Sequence, residues 1–298
     1  MAWIRAYGRP RFPFNREYRE TFEYKRQDPK DHTRSLADYL RLAPYLVPKS
    51  PKCNLPVLRH PDLQPNNIFV SHDLTITGLI DWQHSLVLPT FLVAGVPKYF
   101  QNYDDEESMY FRPPQLADNI EILDANERAR VREQYRRRHV HLFYSAFTQR
   151  LNKPHWNALE QDPGLLKRRM YHDANGPWEG LNHTLQMDLV RVSQNWSDVA
   201  APNTDGSIPP CPIAFTEQEV QRRVALDEFL RDTDFEMRRI NRLLDAASDG
   251  WVPNESFESA KERARLFKEE GLESVDDEPW LREMSARYWP FDDWDEDE

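Results

Sequence analysis

Asp62, Asn67 and Asp81 are the residues of this 298-residue sequence whose types and spacing could do chemistry together. Asn67 follows Asp62 by five positions and leads straight into the apolar run Ile68, Phe69 and Val70. A second apolar run, Leu74 to Ile80 with Thr75 and Thr77 alternating, ends on Asp81. Phosphoryl transfer from ATP requires a carboxylate that accepts a hydroxyl proton, then an amide oxygen and a second carboxylate that hold a hard divalent cation. In that reading Asp62 is the general base and Asn67 and Asp81 are Mg²⁺ ligands. His60 supports the catalytic loop through hydrogen bonds rather than by exchanging protons. No residue is assigned to the nucleotide itself.

Such a set works only if the backbone brings its members together. The polar stretch Ser71 to Asp73 between two β-type runs predicts a short hairpin, whose base carries Asn67 and Asp81 at one edge. His84, three residues after Asp81, is a poor addition to such a site, because a neutral imidazole competes badly for Mg²⁺.

His60-Pro61-Asp62-Leu63, Asn67-Ile68-Phe69-Val70 and Ile80-Asp81-Trp82-Gln83 together resemble the aminoglycoside phosphotransferase and choline kinase superfamily. Its loop has this His-x-Asp-Leu form, and its metal aspartate precedes tryptophan. With Tyr7-Gly8-Arg9-Pro10 upstream and LRLAPYLVP over residues 40–48, the sequence resembles more narrowly the fungal "altered inheritance of mitochondria" branch. The resemblance implies a mainly helical α+β fold over residues 1–290, the C-terminal lobe of a protein-kinase-like fold with a catalytic-loop β-hairpin. It also implies ATP and Mg²⁺ as cofactors, a small hydroxyl-bearing acceptor and a mitochondrial location.

A complete member carries, ahead of the loop, a small sheet with a glycine-rich phosphate cover and a strand lysine. Here Gly8 is the only glycine before His60, and Lys25, Lys30, Lys49 and Lys52 all sit in polar or proline-flanked surroundings. The N-terminal lobe is therefore read as missing, which weakens the claim on both cofactors. Two functions remain open: a phosphotransferase, or a catalytically inactive kinase-derived binding or scaffold protein.

The net charge of −11, from 39 basic and 50 acidic residues, leaves no basic stripe for nucleic acid. The two cysteines, Cys53 and Cys211, make neither a disulfide framework nor a zinc pattern. No apolar run has the length of a membrane span. Residues 1–16 carry Arg5, Arg9, Arg11 and Arg16 and no acid, which is the charge of a transit peptide. They lack serine, however, and Pro10 and Pro13 break the required helix, so a loop of the folded domain is expected.

Periodicity predicts a helix over 35–46 with Leu36, Tyr39, Leu40 and Leu46 inward, and one over 127–151 with Val131, Tyr135, Val140, Leu142, Phe143 and Phe147 inward. Arg136, Arg137 and Arg138 are read as solvated surface. Further helices are expected near 181–196, from the Thr216/Glu219 capping box through Leu244, from Pro253-Asn254 to Gly271, and over 279–289. The C-terminal helices are a candidate protein-partner face. Leu86 to Val96 is expected to be a buried loop or short helix, Asp104 to Glu107 a solvated loop, and 291–298 an acidic disordered tail. In the resembling superfamily the helical subdomain walls the acceptor pocket, which makes His172, Asp173, Trp178 and Glu179 candidates for that wall.

Overall fold

The computed structural model describes residues 8–103, 105–110, 112–116, 120–160, 164–246 and 252–292. Arg5, Tyr7, Asp104, the Asp162-Pro163 break and the tail beyond Asp292 lie outside the described residues. The fold is mainly helical α+β, as expected, and the described residues form two small antiparallel sheets. The longer helices in chain order are α1 (Pro29–Leu46), α2 (Ala125–Leu151), α3 (Lys153–Leu159), α4 (Gly164–Asn175), α5 (His183–Gln194), α6 (Glu217–Leu244), α7 (Phe257–Glu273) and α8 (Pro279–Arg287). The strands are β1 (Pro56–Arg59), β2 (Ile68–Val70), β3 (Ile76–Leu79) and β4 (Leu86–Pro89). The chain divides into two compact units: Met1–Pro44, His172–Ala200 and Gly206–Glu298 form the first, and Tyr45–Tyr171 with Ala201–Asp205 form the second.

In the first unit, α1 begins where Asp28 accepts the Lys30 amide at 2.8 Å and Pro29 occupies a first-turn position that needs no donor. The helix therefore starts six residues before the predicted Ser35. Its buried residues include Leu36 and Leu42, whereas Leu40, expected inward, is exposed. α5 supplies the densest apolar packing, with Leu185, Leu189, Val190 and Val192 fully buried. It stops at Asn195 and is followed by a separate turn, Trp196–Val199, where one helix to Trp196 was expected. α6 starts on the predicted capping box, with Thr216 accepting the Glu219 amide and Glu219 returning to the Thr216 amide at 2.8 Å. It packs against α5 and buries Leu230. α7 runs to Glu273, past the expected stop at Gly271, where the Trp289 ring lies close over the helix.

In the second unit, β1 pairs with β4 from Pro56↔Pro89 to Arg59↔Leu86, and β2 pairs with β3 from Ile68↔Leu79 to Val70↔Ile76. The hairpin matches its predicted position; its turn is held by Thr75 Oγ1 donating to Asp73 at 3.0 Å. The β1/β4 ribbon was not expected. Leu86 to Val96 is a strand followed by the one-turn helix Thr90–Val93, and Leu86 and Val87 are exposed rather than buried, one on each face of the two-stranded ribbon. Thr90 secures the ribbon: its amide and its hydroxyl both donate to the Leu55 carbonyl at 2.9 Å.

α2 starts at Asp124, which accepts the Glu127 amide at 2.9 Å. Its inward face differs from the prediction. Phe143 and Phe147 are exposed, while the fully buried positions are His141 and Ser145, and His141 Nδ1 donates to the Phe100 carbonyl at 3.0 Å. The run around Asp105 is likewise not a solvated loop. Asp105 caps a short helix and takes a two-pronged contact from Arg138, at 2.7 and 2.9 Å, which holds its carboxyl well below the usual carboxylate range. Arg138 is thus an anchor, not open surface. Among the described residues no helix is long and apolar enough to cross a membrane.

Candidate functional site

The two ribbons of the second unit frame the candidate site. Arg59↔Leu86 closes one ribbon and Ile68↔Leu79 opens the other, so the segments 60–67 and 80–85 are pinned between two registered pairs. Those segments carry all four predicted residues. Asn67 and Asp81 meet at the hairpin base because the Asn67 carbonyl accepts the Ile80 amide at 3.1 Å, one residue before Asp81.

His60 ties the segments together. Its Nε2 donates to the Ile80 carbonyl at 2.7 Å, and its Nδ1 accepts the Asp62 amide at 3.2 Å. A carbonyl only accepts and an amide N–H only donates, which fixes the neutral Nε2–H tautomer. Both nitrogens are committed, so the buried ring works as a strut between the two segments. The Trp82 ring leans on it at 4.7 Å between centroids.

Asn67, also buried, turns its Nδ2 to the Asp62 carbonyl at 2.8 Å and to Asp62 Oδ2 at 3.3 Å. With the nitrogen so engaged, Oδ1 is the atom left for a ligand. Gln64, which no motif marked, donates to Asp62 Oδ2 at 2.6 Å. One carboxylate oxygen of Asp62, Oδ2, is held in place and the other accepts no hydrogen bond among the described residues. Asp81 is exposed and adopts a left-handed backbone, φ 63°, as does His84 at φ 62°. Asn67 Oδ1 and the Asp81 carboxylate fit a hard cation such as Mg²⁺, which favours one or two protein oxygens and takes the rest from phosphates and water. No group of three or more His, Cys, Asp or Glu side chains that could hold a metal occurs among the described residues, and His84 joins none.

Arg59, the last residue of β1, anchors the loop from behind. It donates to the Gly95 carbonyl, to Tyr144 Oη at 3.1 Å and to the His155 ring, whose Nδ1 and Nε2 lie 3.1 and 3.0 Å from one Nη; His155 Nε2 also lies 3.3 Å from the Gly95 carbonyl. Burial, and then the Arg59 charge, push the His155 ring down from 6.5 to about 4. The folded state therefore holds a neutral ring where the unfolded chain takes up a proton, so stability rises with pH through this window. Its contribution is complete above 6.5 and is lost as the pH falls toward about 4. Burial lowers His32 and His183 in the same direction. The melting temperature is expected to drop on acidification through that window, and His155→Gln to flatten the drop. A pH series of thermal melts on both proteins checks this, and parallel slopes would contradict it.

The acceptor-wall candidates lie in the first unit. His172, Asp173 and Glu179 line a cavity of about 390 Å³, and Trp178 lines a neighbouring one of about 290 Å³. The two cavities share His32, Leu181, Asn182 and His183.

No family model and no solved structure matches the chain. It is similar to a subtelomeric hrmA-associated cluster protein of Aspergillus fumigatus, 26% identical over 268 residues that make up 89% of this chain and 50% of that protein. It is also similar to "Altered inheritance of mitochondria protein 9, mitochondrial" of Lachancea thermotolerans, 26% identical over 235 residues, 76% of this chain and 35% of that protein. The protein of the same name in Saccharomyces cerevisiae is 24% identical over 230 residues, 75% of this chain and 34% of that protein. The chain thus spans about half the length of the Aspergillus relative and about a third of the yeast ones, and its similarity runs to fungal proteins that include the altered-inheritance-of-mitochondria group.

Proposed function

We propose that this chain carries the catalytic half of a Mg²⁺- and ATP-dependent phosphotransferase that acts on a small hydroxyl-bearing acceptor in mitochondria. The observation that carries the reading is the bond from Asn67 Nδ2 to Asp62, made at the hairpin base that also presents Asp81. Asp62 accepts the proton of the attacking hydroxyl, Asn67 Oδ1 and the Asp81 carboxylate hold the cation, and His60 fixes the loop. The cation neutralises phosphate charge when bound. The mitochondrial part rests on the printed names of the yeast relatives.

A second reading, a non-catalytic binding protein, is favoured by a separate observation. Leu58, Phe69, Ile76, Leu86 and Val87 stand exposed on both ribbons beside the site. Exposed apolar side chains gathered in one part of a fold suit a binding role. The two readings differ in calorimetry of the full chain. Mg²⁺-dependent binding of ATP, weakened about tenfold or more in Asp81→Asn, supports the enzyme. No Mg²⁺-dependent heat at millimolar nucleotide removes it and leaves the binding protein.

A further inference from the structure

The 290 Å³ cavity of the first unit opens on the N-terminal end of α5, a twelve-residue helix. Among the described residues no side chain caps that end: Asn182, at the cap position, donates its Nδ2 to Ser35 Oγ at 3.1 Å instead. The first-turn amides of a helix concentrate positive potential, so an uncapped end is drawn to anions. His32 is set into the same wall at 3% exposure, and its Nδ1 has no hydrogen-bond partner among the described residues. A buried ring nitrogen without a partner is costly unless something else supplies the bond.

Arg222 and Arg223 reach the cavity from the first turns of α6. Arg223 is half-buried, lies over the Phe215 ring at 4.2 Å and donates one Nη to the Gln186 carbonyl at 3.5 Å; no ion pair joins it to a carboxylate among the described residues. The acids of the wall each make a local bond. Asp28 receives the Lys30 amide, Asp31 pairs with Arg34 at 3.5 Å, and Glu219 folds back onto the Thr216 amide and hydroxyl at 2.8 and 2.9 Å. Burial lowers the Arg223 guanidinium, and the more distant Glu219 and Asp38 carboxylates offset this only in part. The Trp178 ring stacks with His32 at 6.2 Å and 15°, giving the cavity one flat aromatic side.

We propose that this cavity binds a small phosphate monoester, whose phosphate sits between the α5 N-terminus, Arg223 and His32 and whose organic part lies against Trp178. Donors converge there from a helix end, a guanidinium and an imidazole on three different elements. That suits a tetrahedral oxyanion better than a planar carboxylate, which a single arginine fork satisfies. The neighbouring cavity shares His32 and His183 and leaves room for a longer organic group.

The test is calorimetric titration of the full chain, without Mg²⁺ and near neutral pH, with inorganic phosphate and with phenyl phosphate. Both are expected to bind, with a dissociation constant below about 1 mM for phenyl phosphate and a weaker one for the inorganic ion. Arg223→Gln should weaken phenyl phosphate about tenfold or more. Asn182→Asp supplies the missing cap and places a carboxylate where the anion would sit. It should abolish binding while keeping the fold, which far-ultraviolet circular dichroism and a melt establish, and so it serves even if Arg223→Gln fails to fold. Asp81→Asn should bind as the parent does. Absence of heat with either probe at millimolar concentration, undiminished binding in a folded Asn182→Asp, or loss of binding in Asp81→Asn would each overturn the proposal.

Discussion

Gly180→Ala is expected to destabilise the first unit by about 3 kcal/mol or more, among the largest losses open to a single-methyl substitution. Gly180 has φ 87°, where a Cβ costs about 1 kcal/mol or more on its own. The larger part is steric. A Cβ at this position would stand 2.4 Å from the Phe12 carbonyl oxygen, 2.8 Å from its carbon and 3.0 Å from Pro13 Cα. All three atoms are backbone, so no side chain can swing away. Neither segment is free to yield, because the Phe14 amide bonds the Glu179 carbonyl at 2.9 Å and Arg11 donates to the Trp178 carbonyl at 3.1 Å. Gly206 provides the control: its φ is 83° and nothing lies within 4 Å of its Cβ position, so alanine there carries the backbone cost alone. Denaturant midpoints of the two variants measure the difference, and equal midpoints would show that the close approach to Phe12 is not rigid.

Asp62→Asn is expected to lower phosphoryl transfer by about 10²- to 10⁴-fold while leaving Mg²⁺-dependent ATP binding in place. The reason is a division of labour within the hairpin base. Asp62 Oδ2 is held by Gln64 and Asn67, and an asparagine oxygen accepts the same two bonds, so the loop keeps its shape. What disappears, on the proposed mechanism, is the basic oxygen that takes the acceptor's proton. Asp81→Asn is expected to do the reverse and weaken nucleotide binding itself. Single-turnover assays paired with calorimetry separate the two. Transfer that survives in Asp62→Asn would remove the base from this residue, and loss of both properties together would make Asp62 a binding group instead.

The hairpin that brings Asn67 and Asp81 together was legible in the sequence because two apolar runs flank a polar turn, a pattern of period two that needs no tertiary information. The capping box of α6 was legible for a similar reason: its bonds join residues three apart. The β1/β4 ribbon was not. Its strands lie about thirty residues apart, and Leu86 and Val87 read as core while the fold turns them outward. α2 misled in the opposite sense. Its aromatic stripe of Phe143 and Phe147 has the spacing of a core face, yet the buried line is His141 and Ser145, and hydropathy alone does not mark a polar line as core. Arg138 and Asp105 share this character: two charges far apart in sequence, each ordinary alone, form one anchor only when the chain folds. Gln64 and Arg59 support the candidate site through side-chain reach, a property that spacing does not encode.

Asp81 answers two demands at one position. Its left-handed backbone admits glycine and asparagine readily and most other residues poorly, and its carboxylate is the charge offered at the hairpin base. Asparagine preserves the bend and an oxygen but sheds the charge; glycine preserves the bend and sheds the ligand; glutamate preserves the charge and strains the bend. Alanine removes both at once, so its effect could never be apportioned. The position has no silent replacement, and the corner it forms with His84 is where geometry and chemistry are least separable in this chain.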